Sequence, residues 1–240
     1  MTVENKFNCI LCDAEINYSE DYSLHKCIYC KGEFQSNTAC KNGHYVCDSC
    51  HALKGVDLIY SYCLETLKSN PMDMANDIMG CDGFKMHGPE HHFLAPAVLL
   101  SSYCNVQNLS YEEKKKMLLV AKKRAEDVKG GFCGFYGSCG AAVGCGMFLS
   151  IITGTTPLTK DTWGLVNEGT GKCLIKLSEI GGPRCCKKGM FTSINIASRI
   201  LDEKMNIRLY DYENEVKCTY SKYNKECIGK DCPHSIAYKG

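Results

Sequence analysis

The chain has no charge excess of either sign. Its 28 basic residues nearly cancel its 27 acidic ones, leaving a formal net charge of +1, and no long basic run appears. Charge alone therefore does not favour a nucleic-acid partner. Long apolar runs are missing too. Nothing reaches the roughly 18 consecutive apolar residues of a membrane-spanning helix, so no membrane association is expected. The polar opening MTVENKFNC does not read as an export signal, and a cytoplasmic protein is the expectation. There is no internal repeat and no low-complexity linker, which excludes a repeat array. No G-x-G-x-x-G strand–turn–helix pattern is present, so nothing supports an S-adenosylmethionine-binding fold within this chain.

What the chain has instead is cysteine, nineteen in 240 residues. An odd count cannot pair completely within one chain. Without an export signal, metal ligation or redox chemistry outranks a disulfide framework. So many usable thiols point to a reducing, anaerobic setting. The length allows one sizeable core plus a small appendage. Composition divides it into residues 1–55, with seven cysteines and few apolar runs; residues 56–205, mostly helical; and residues 206–240, a polar tail with three more cysteines, packed on the helical part. The expected fold is mainly α: a helical domain with a glycine-rich cysteine site, preceded by a small zinc-knuckle or ribbon module.

Within the helical zone, VDLIYSYCLETLK carries apolar residues at helical spacing, and Pro71 and Pro89 suit the first turns of two further helices. SYEEKKKMLLVAKKRAEDVKGG has a serine cap, acidic residues early, basic ones late, and a Gly130-Gly131 stop. GAAVGCGMFLSII and MFTSINIASRILDEKM complete the helices, and NIRLYDYE reads as a strand in the tail.

The first zone reads C9-x2-C12, C27-x2-C30, C40-x3-H44 and C47-x2-C50-H51. A C-x2-C turn aims two thiolates at one tetrahedral ion, and a second such pair completes its shell. Sixteen residues separate Cys30 from Cys47, within the zinc-ribbon range. Cys27, Cys30, Cys47 and Cys50 are therefore expected to hold one zinc ion. Cys9 and Cys12 would share a second with Cys40 and either His44 or His51. Some fifty residues have too little core to fold alone, and metal would supply the missing stability. CDSCH matches the letters of a haem-attachment run, but its place among knuckles makes zinc the better reading.

The tail reads C218-x8-C227-x4-C232-P. Three cysteines followed by proline fit iron–sulfur ligation, with Cys81, Cys185 or Cys186 available as a fourth ligand. A further zinc site, or free thiols packing a terminal loop, are the alternatives.

In the centre, KMHGPEHHFLAPA puts His87, Glu90, His91 and His92 at a helix opening. At three- and four-residue spacing, such groups can move protons or hold an ion if the helix spans them. GGFCGFYGSCGAAVGCG, residues 130–146, packs three cysteines and seven glycines into seventeen positions. Bare glycines let a backbone or flat ligand approach. Cys139 stands at a helix N-terminus, where a lowered thiol pKa is expected. GGPRCCKKG sets Cys185 and Cys186 beside Arg184, Lys187 and Lys188, cations suited to thiolates and to an anionic substrate.

CKNGHYVCDSCH, HGPEHHFLAPAVLL, GGFCGFYGSCGAAVGCG and GGPRCCKKG together resemble domain-of-unknown-function family 5714. That family occurs largely in anaerobic archaea and bacteria, sometimes joined to or near S-adenosylmethionine-dependent proteins. CGAAVG before an apolar helix is similar, more loosely, to the redox family named for its C-GCAxxG-C-C pattern, although here the partner cysteines are vicinal and arrive much later. The expected function is metal binding, with zinc and an iron–sulfur cluster, in a redox or sulfur-transfer role. Cys133 or Cys139 would act as thiolate, Cys185 and Cys186 as resolving or metal-binding thiols, and Arg184 as the anchor of a small anionic or sulfur-containing substrate. The alternative is a non-catalytic metal-binding partner or carrier that docks on another enzyme, with an S-adenosylmethionine-dependent one suggested by the resemblance.

Overall fold

The structure, a computed structural model, describes residues 14–28, 31–47, 55–81, 84–213 and 216–237. An antiparallel hairpin comes first, β1 (Ile16–Lys26) and β2 (Glu33–Cys40), registered from Ile16 opposite Cys40 to Lys26 opposite Glu33. Eight α-helices follow among the described residues: α1 (Gly55–Glu65), α2 (Pro71–Met79), α3 (Glu90–Val106), α4 (Tyr111–Ala125), α5 (Phe132–Phe135), α6 (Gly140–Thr153), α7 (Trp163–Ile180) and α8 (Cys186–Met205). The protein is mainly helical. None of these helices is long and apolar enough to cross a membrane.

Helix α3 is the axle of the fold. Leu94, Ala95, Ala97, Val98, Leu99 and Leu100 are all fully buried, so apolar side chains surround it instead of forming one stripe, the pattern of a helix enclosed by others. Helices α1, α2, α4, α6 and α8 pack around it. Polar groups of α3 and α4 close the open end of α1. Ser101 donates to the Cys63 carbonyl at 2.7 Å, and Asn105 and Lys114 both donate to the Thr66 carbonyl. The last carbonyls of α1, unpaired within their own helix, are thus satisfied from outside.

Small residues set the distances between helices. A Cβ on Gly144 of α6 would stand 2.7 Å from Pro96 Cδ and 2.9 Å from Ala95 Cβ, so α6 crosses α3 at backbone contact. Gly169 of α7 lies in the same way against Leu149 and Cys145 of α6. Helix α7 is not among the helices expected from the sequence. Gly164, Gly169 and Gly171 lower its intrinsic propensity by about 1 kcal/mol each, and its contact with α6, visible only in three dimensions, offsets that loss.

Two boundaries and one element differ from expectation. Helix α4 has its cap, a reciprocal box between Ser110 and Glu113, but stops at Ala125 instead of running to Gly130. Helix α8 starts at Cys186, four residues before Met190, which draws Lys187 and Lys188 into its buried first turn. NIRLYDYE is not a strand. Its backbone pairs with no sheet among the described residues, and its side chains dock on α8 instead. Leu209 is buried, the Tyr212 hydroxyl donates to Asp202, and Arg199 covers the Tyr212 ring.

Candidate functional site

The N-termini of α6 and α8 meet at one cleft. Cys139 is the N-cap residue of α6 and Cys185 that of α8, where its sulfur accepts the Lys188 N–H at 3.5 Å. Gly140 leaves its side-chain space to the His92 ring, and a Cβ on Gly189 would stand 3.1 Å from Cys139 Sγ. Cys139 therefore lies against the first turns of α8. Cys186, three residues before Gly189, shares that helix face. The cavity between them measures about 770 Å³ and is lined by Cys133, Cys139, Cys185, Cys186, Arg184, His91 and His92 among others. That volume suits a small molecule.

Cys133 rides on α5, a single turn between Gly131 and Gly137, whose φ values of 86° and 63° favour glycine. Phe135 and Tyr136 on that turn are 87% and 72% exposed. Cys133 is exposed, whereas Cys139 and Cys186 are partly covered. The expected lowering of the Cys139 pKa is corrected. Burial raises it, outweighing the Ala142 and Ala141 amides that favour thiolate, and the neighbouring Cys133 and Cys173 thiols add to the rise. Burial likewise pushes Cys186 up to about 11, against the Gly88 amide, with Cys139 and Cys185 as further causes. Both thiols are protonated at neutral pH until a cation or reaction partner arrives.

The histidine cluster divides between two roles. Pro89 starts α3, so His87 lies outside the helix and does not share a helix face with His91. It bonds Asn224 Oδ1 at 3.1 Å and faces Glu226 at 3.3 Å, tying this loop to the tail. His91 is 1% exposed. Its Nδ1 bonds the Gly88 carbonyl at 3.0 Å and its Nε2 meets Lys187 Nζ at 3.0 Å. The carbonyl makes Nδ1 the protonated nitrogen, leaving Nε2 to accept from the ammonium. Burial, then Lys187, lowers its pKa to about 3. His91 thus stays neutral and both nitrogens are engaged, so the expectation that it moves protons is corrected. Glu90 is buried with Oε1 unbonded, its carboxylate filling the space where Gly88 lacks a side chain.

His92 and Lys187 take positions that the sequence does not specify. His92 Nδ1 donates to the Val128 carbonyl at 2.8 Å, which leaves Nε2 as the acceptor in a ring that lines the cleft. Lys187, 1% exposed, donates to the Lys85 carbonyl and lies between the Phe84 and Tyr220 rings. A signal for His92 was present: a bulky ring at the helix start opposite the bare Gly140. Arg184 is exposed at the rim.

Behind the cleft lies a second, smaller cavity of about 20 Å³, lined by Cys185, Cys218, Cys227 and Cys232 among others. Cys185, Pro183 and Lys188 belong to both walls. Cys218 accepts the Tyr220 N–H and Cys227 the Gly229 N–H, each at 3.4 Å. Among the described residues no three Cys, His, Asp or Glu side chains converge on one ion position.

Of the N-terminal ligand set, Cys9, Cys12, Cys30, Cys50 and His51 lie outside the described residues. The rest fall at two ends of the hairpin. Cys27 and Cys47 are both buried, and Cys27 Sγ accepts the Cys47 N–H at 3.4 Å. Cys40 ends β2, and the segment 44–45 links it to the Cys27 end, since the Ile28 N–H donates to the Tyr45 carbonyl next to His44. Cys40 donates its N–H to the His44 carbonyl and accepts the Asn42 N–H on its sulfur at 3.3 Å.

Residues 59–235 match the family of unknown function DUF5714. The chain belongs to that family. The match takes in both cavities and leaves the hairpin outside. No curated protein and no solved structure matches the chain.

Proposed function

We propose that this is a metal-binding thiol protein whose cleft carries redox or sulfur-transfer chemistry. The supporting observation is the meeting of Cys133, Cys139 and Cys186, from three separate segments, around one small-molecule-sized cavity with Arg184 at its mouth. A small disulfide bound there is attacked by the thiolate of Cys139 or Cys133. One substrate thiolate leaves and a mixed disulfide forms. Cys186 then attacks that bond, releasing the second substrate thiol and leaving a disulfide within the protein. Two protein thiols are oxidised and one substrate disulfide is reduced. With a persulfide donor, the same attack moves the outer sulfur to the protein and leaves the donor as a thiol.

Zinc is proposed at the hairpin, held at one end by Cys27, Cys30, Cys47 and Cys50 and at the other by Cys40 with Cys9, Cys12 and a histidine. Amide donors to the Cys27 and Cys40 sulfurs support this, since they favour the thiolates that a metal needs. The tail thiols are proposed to hold metal as well, an iron–sulfur cluster or a further zinc. The competing reading, a non-catalytic carrier that docks on another enzyme, draws on exposed Phe135 and Tyr136 at the cleft rim. Anaerobic incubation with a small disulfide separates the two. The redox reading expects substrate thiol to be released in step with loss of titratable protein thiol, and a Cys139→Ala variant to lose that release. A carrier leaves the disulfide intact.

A further inference from the structure

Four thiols from separate places in the chain surround the cavity behind the cleft, and all four are set up as acceptors. Cys218 and Cys227 each accept the amide two residues onward, and Cys185 accepts the amide three residues onward at the head of α8. The His234 amide acts on Cys232 in the same sense, again two residues on. Such N–H donors stabilise thiolate sulfur and tune a metal held by it. Four thiol sulfurs around one small cavity, each accepting a backbone amide, fit a cation among them.

The surrounding charges agree independently. Lys187 and Lys188 are both buried. Their ammonium groups donate to carbonyl oxygens and to His91, not to a carboxylate. Burying cations is costly unless anions lie near. The Cys186 and Cys185 thiols, the Glu90 carboxylate and the Cys218 thiol lie within charge range of Lys187, and the Cys232 thiol within range of Lys188. Four thiolates around a dication, or around an iron–sulfur core of the same charge, leave two negative charges. The two lysines offset them, with Glu90 sharing the Lys187 charge.

We propose that Cys185, Cys218, Cys227 and Cys232 are the four ligands of one thiolate metal centre, seated behind the cleft with Cys185 as the shared wall. This deepens the proposed function, on whose tail metal it rests, by fixing the fourth ligand and leaving Cys186 to the cleft. The sulfurs line the cavity without closing on one point. Binding draws them in, and the segment from 216 to 235 can follow locally, since short 3-10 turns and one bridge are its regular structure. A mononuclear zinc ion and an iron–sulfur cluster share this ligand chemistry.

The test uses the full chain, prepared without oxygen. It is loaded in one arm with ferrous iron and sulfide and in the other with Zn²⁺, then freed of unbound metal and analysed for iron, labile sulfide and zinc. Cys185→Ser is the main variant, because serine also caps a helix and α8 should persist by circular dichroism. Wild-type protein should gain about four irons with matching sulfide if it holds a cubane cluster, or one zinc more than the variant if it holds a single ion. Either gain should vanish in Cys185→Ser and in Cys227→Ser, which lies outside α8, and survive in Cys186→Ser. Cys139→Ala should keep all of its metal while losing disulfide exchange, so the two readings fail separately. Equal metal in wild type, Cys185→Ser and Cys227→Ser, in both arms, overturns the assignment. Loss of metal in Cys186→Ser with retention in Cys185→Ser overturns it too.

Discussion

Two groups of thiols meet at the head of α8 and are held in opposite ways. On the cleft side, Cys139 and Cys186 stand on long helices whose approach is set by Gly140, Gly144 and Gly189 packing on α3 and α8. On the tail side, Cys218, Cys227 and Cys232 sit on turns and short 3-10 segments with little regular hydrogen bonding of their own. The first arrangement is built by the hydrophobic core and needs no metal to exist. The second is held by side-chain bonds to the helices, such as those of Asn224 to His87 and of His234 to Thr192, and gains from a ligand that crosslinks its turns. Reactive geometry belongs on the rigid side, and an ion suits the loose one.

The sharpest way to break the comparison is to loosen the rigid side. His91 pins the cleft floor to α8 through Lys187, with Glu90 4.0 Å from the same ring. Its folded pKa, about 3, lies below its ordinary value near 6.5. The unfolded chain therefore binds the extra proton first. The stabilisation is complete above about pH 6.5 and is lost as pH falls toward 3, by an amount of the order of 5 kcal/mol. Urea midpoints across that range should slope steeply in wild type and flatten in His91→Gln; equal slopes contradict the assignment.

Next in size is the crossing of α6 over α3. Gly144→Leu drives a side chain into Pro96 and Ala95 and should cost about 3 kcal/mol. A denaturation midpoint within error of wild type would mean the helices are not in backbone contact. Gly189→Ala is milder. Its methyl meets Cys139 Sγ at 3.1 Å, so about 1 kcal/mol and an altered rate of Cys139 alkylation are expected, with Cys133 unaffected. Smallest is Cys227→Ser in metal-free protein. The helical core should hardly notice it, within about 0.5 kcal/mol, and a larger loss would show that the tail is a structural element in its own right.

Helices with ordinary cues were legible in the sequence: the Ser110 box, Pro71, and the apolar spacing of α1. Helix α7 was not, because its glycines read as breakers until Leu149 and Cys145 are seen lying against Gly169. NIRLYDYE has the alternation of a strand, but no neighbouring strand exists for it to pair with among the described residues, so its side chains pack on α8. For the site, GGFCGFYGSCGAAVGCG and GGPRCCKKG were conspicuous as clusters of reactive residues. That Cys186 shares a face with Gly189, and that Gly189 faces Cys139, is a property of the packing of α6 on α8. Burial reversed the pKa direction expected for Cys139, since a helix terminus favours thiolate only as far as solvent or a cation is near. His91 was read as chemical and is held as a positioning group, because the buried Lys187 that occupies its Nε2 is nearly a hundred residues away in sequence.

The measurement that bears most directly on the account is peptide mapping of metal-loaded, fully reduced protein after brief anaerobic exposure to oxidised glutathione. A disulfide joining Cys186 to Cys139, or to Cys133, should appear, passing through glutathione on that same partner, while buried Cys145 and Cys173 and the tail thiols stay unmodified. Glutathione confined to the exposed Cys133, with no bond formed inside the cleft, would contradict a working thiol pair.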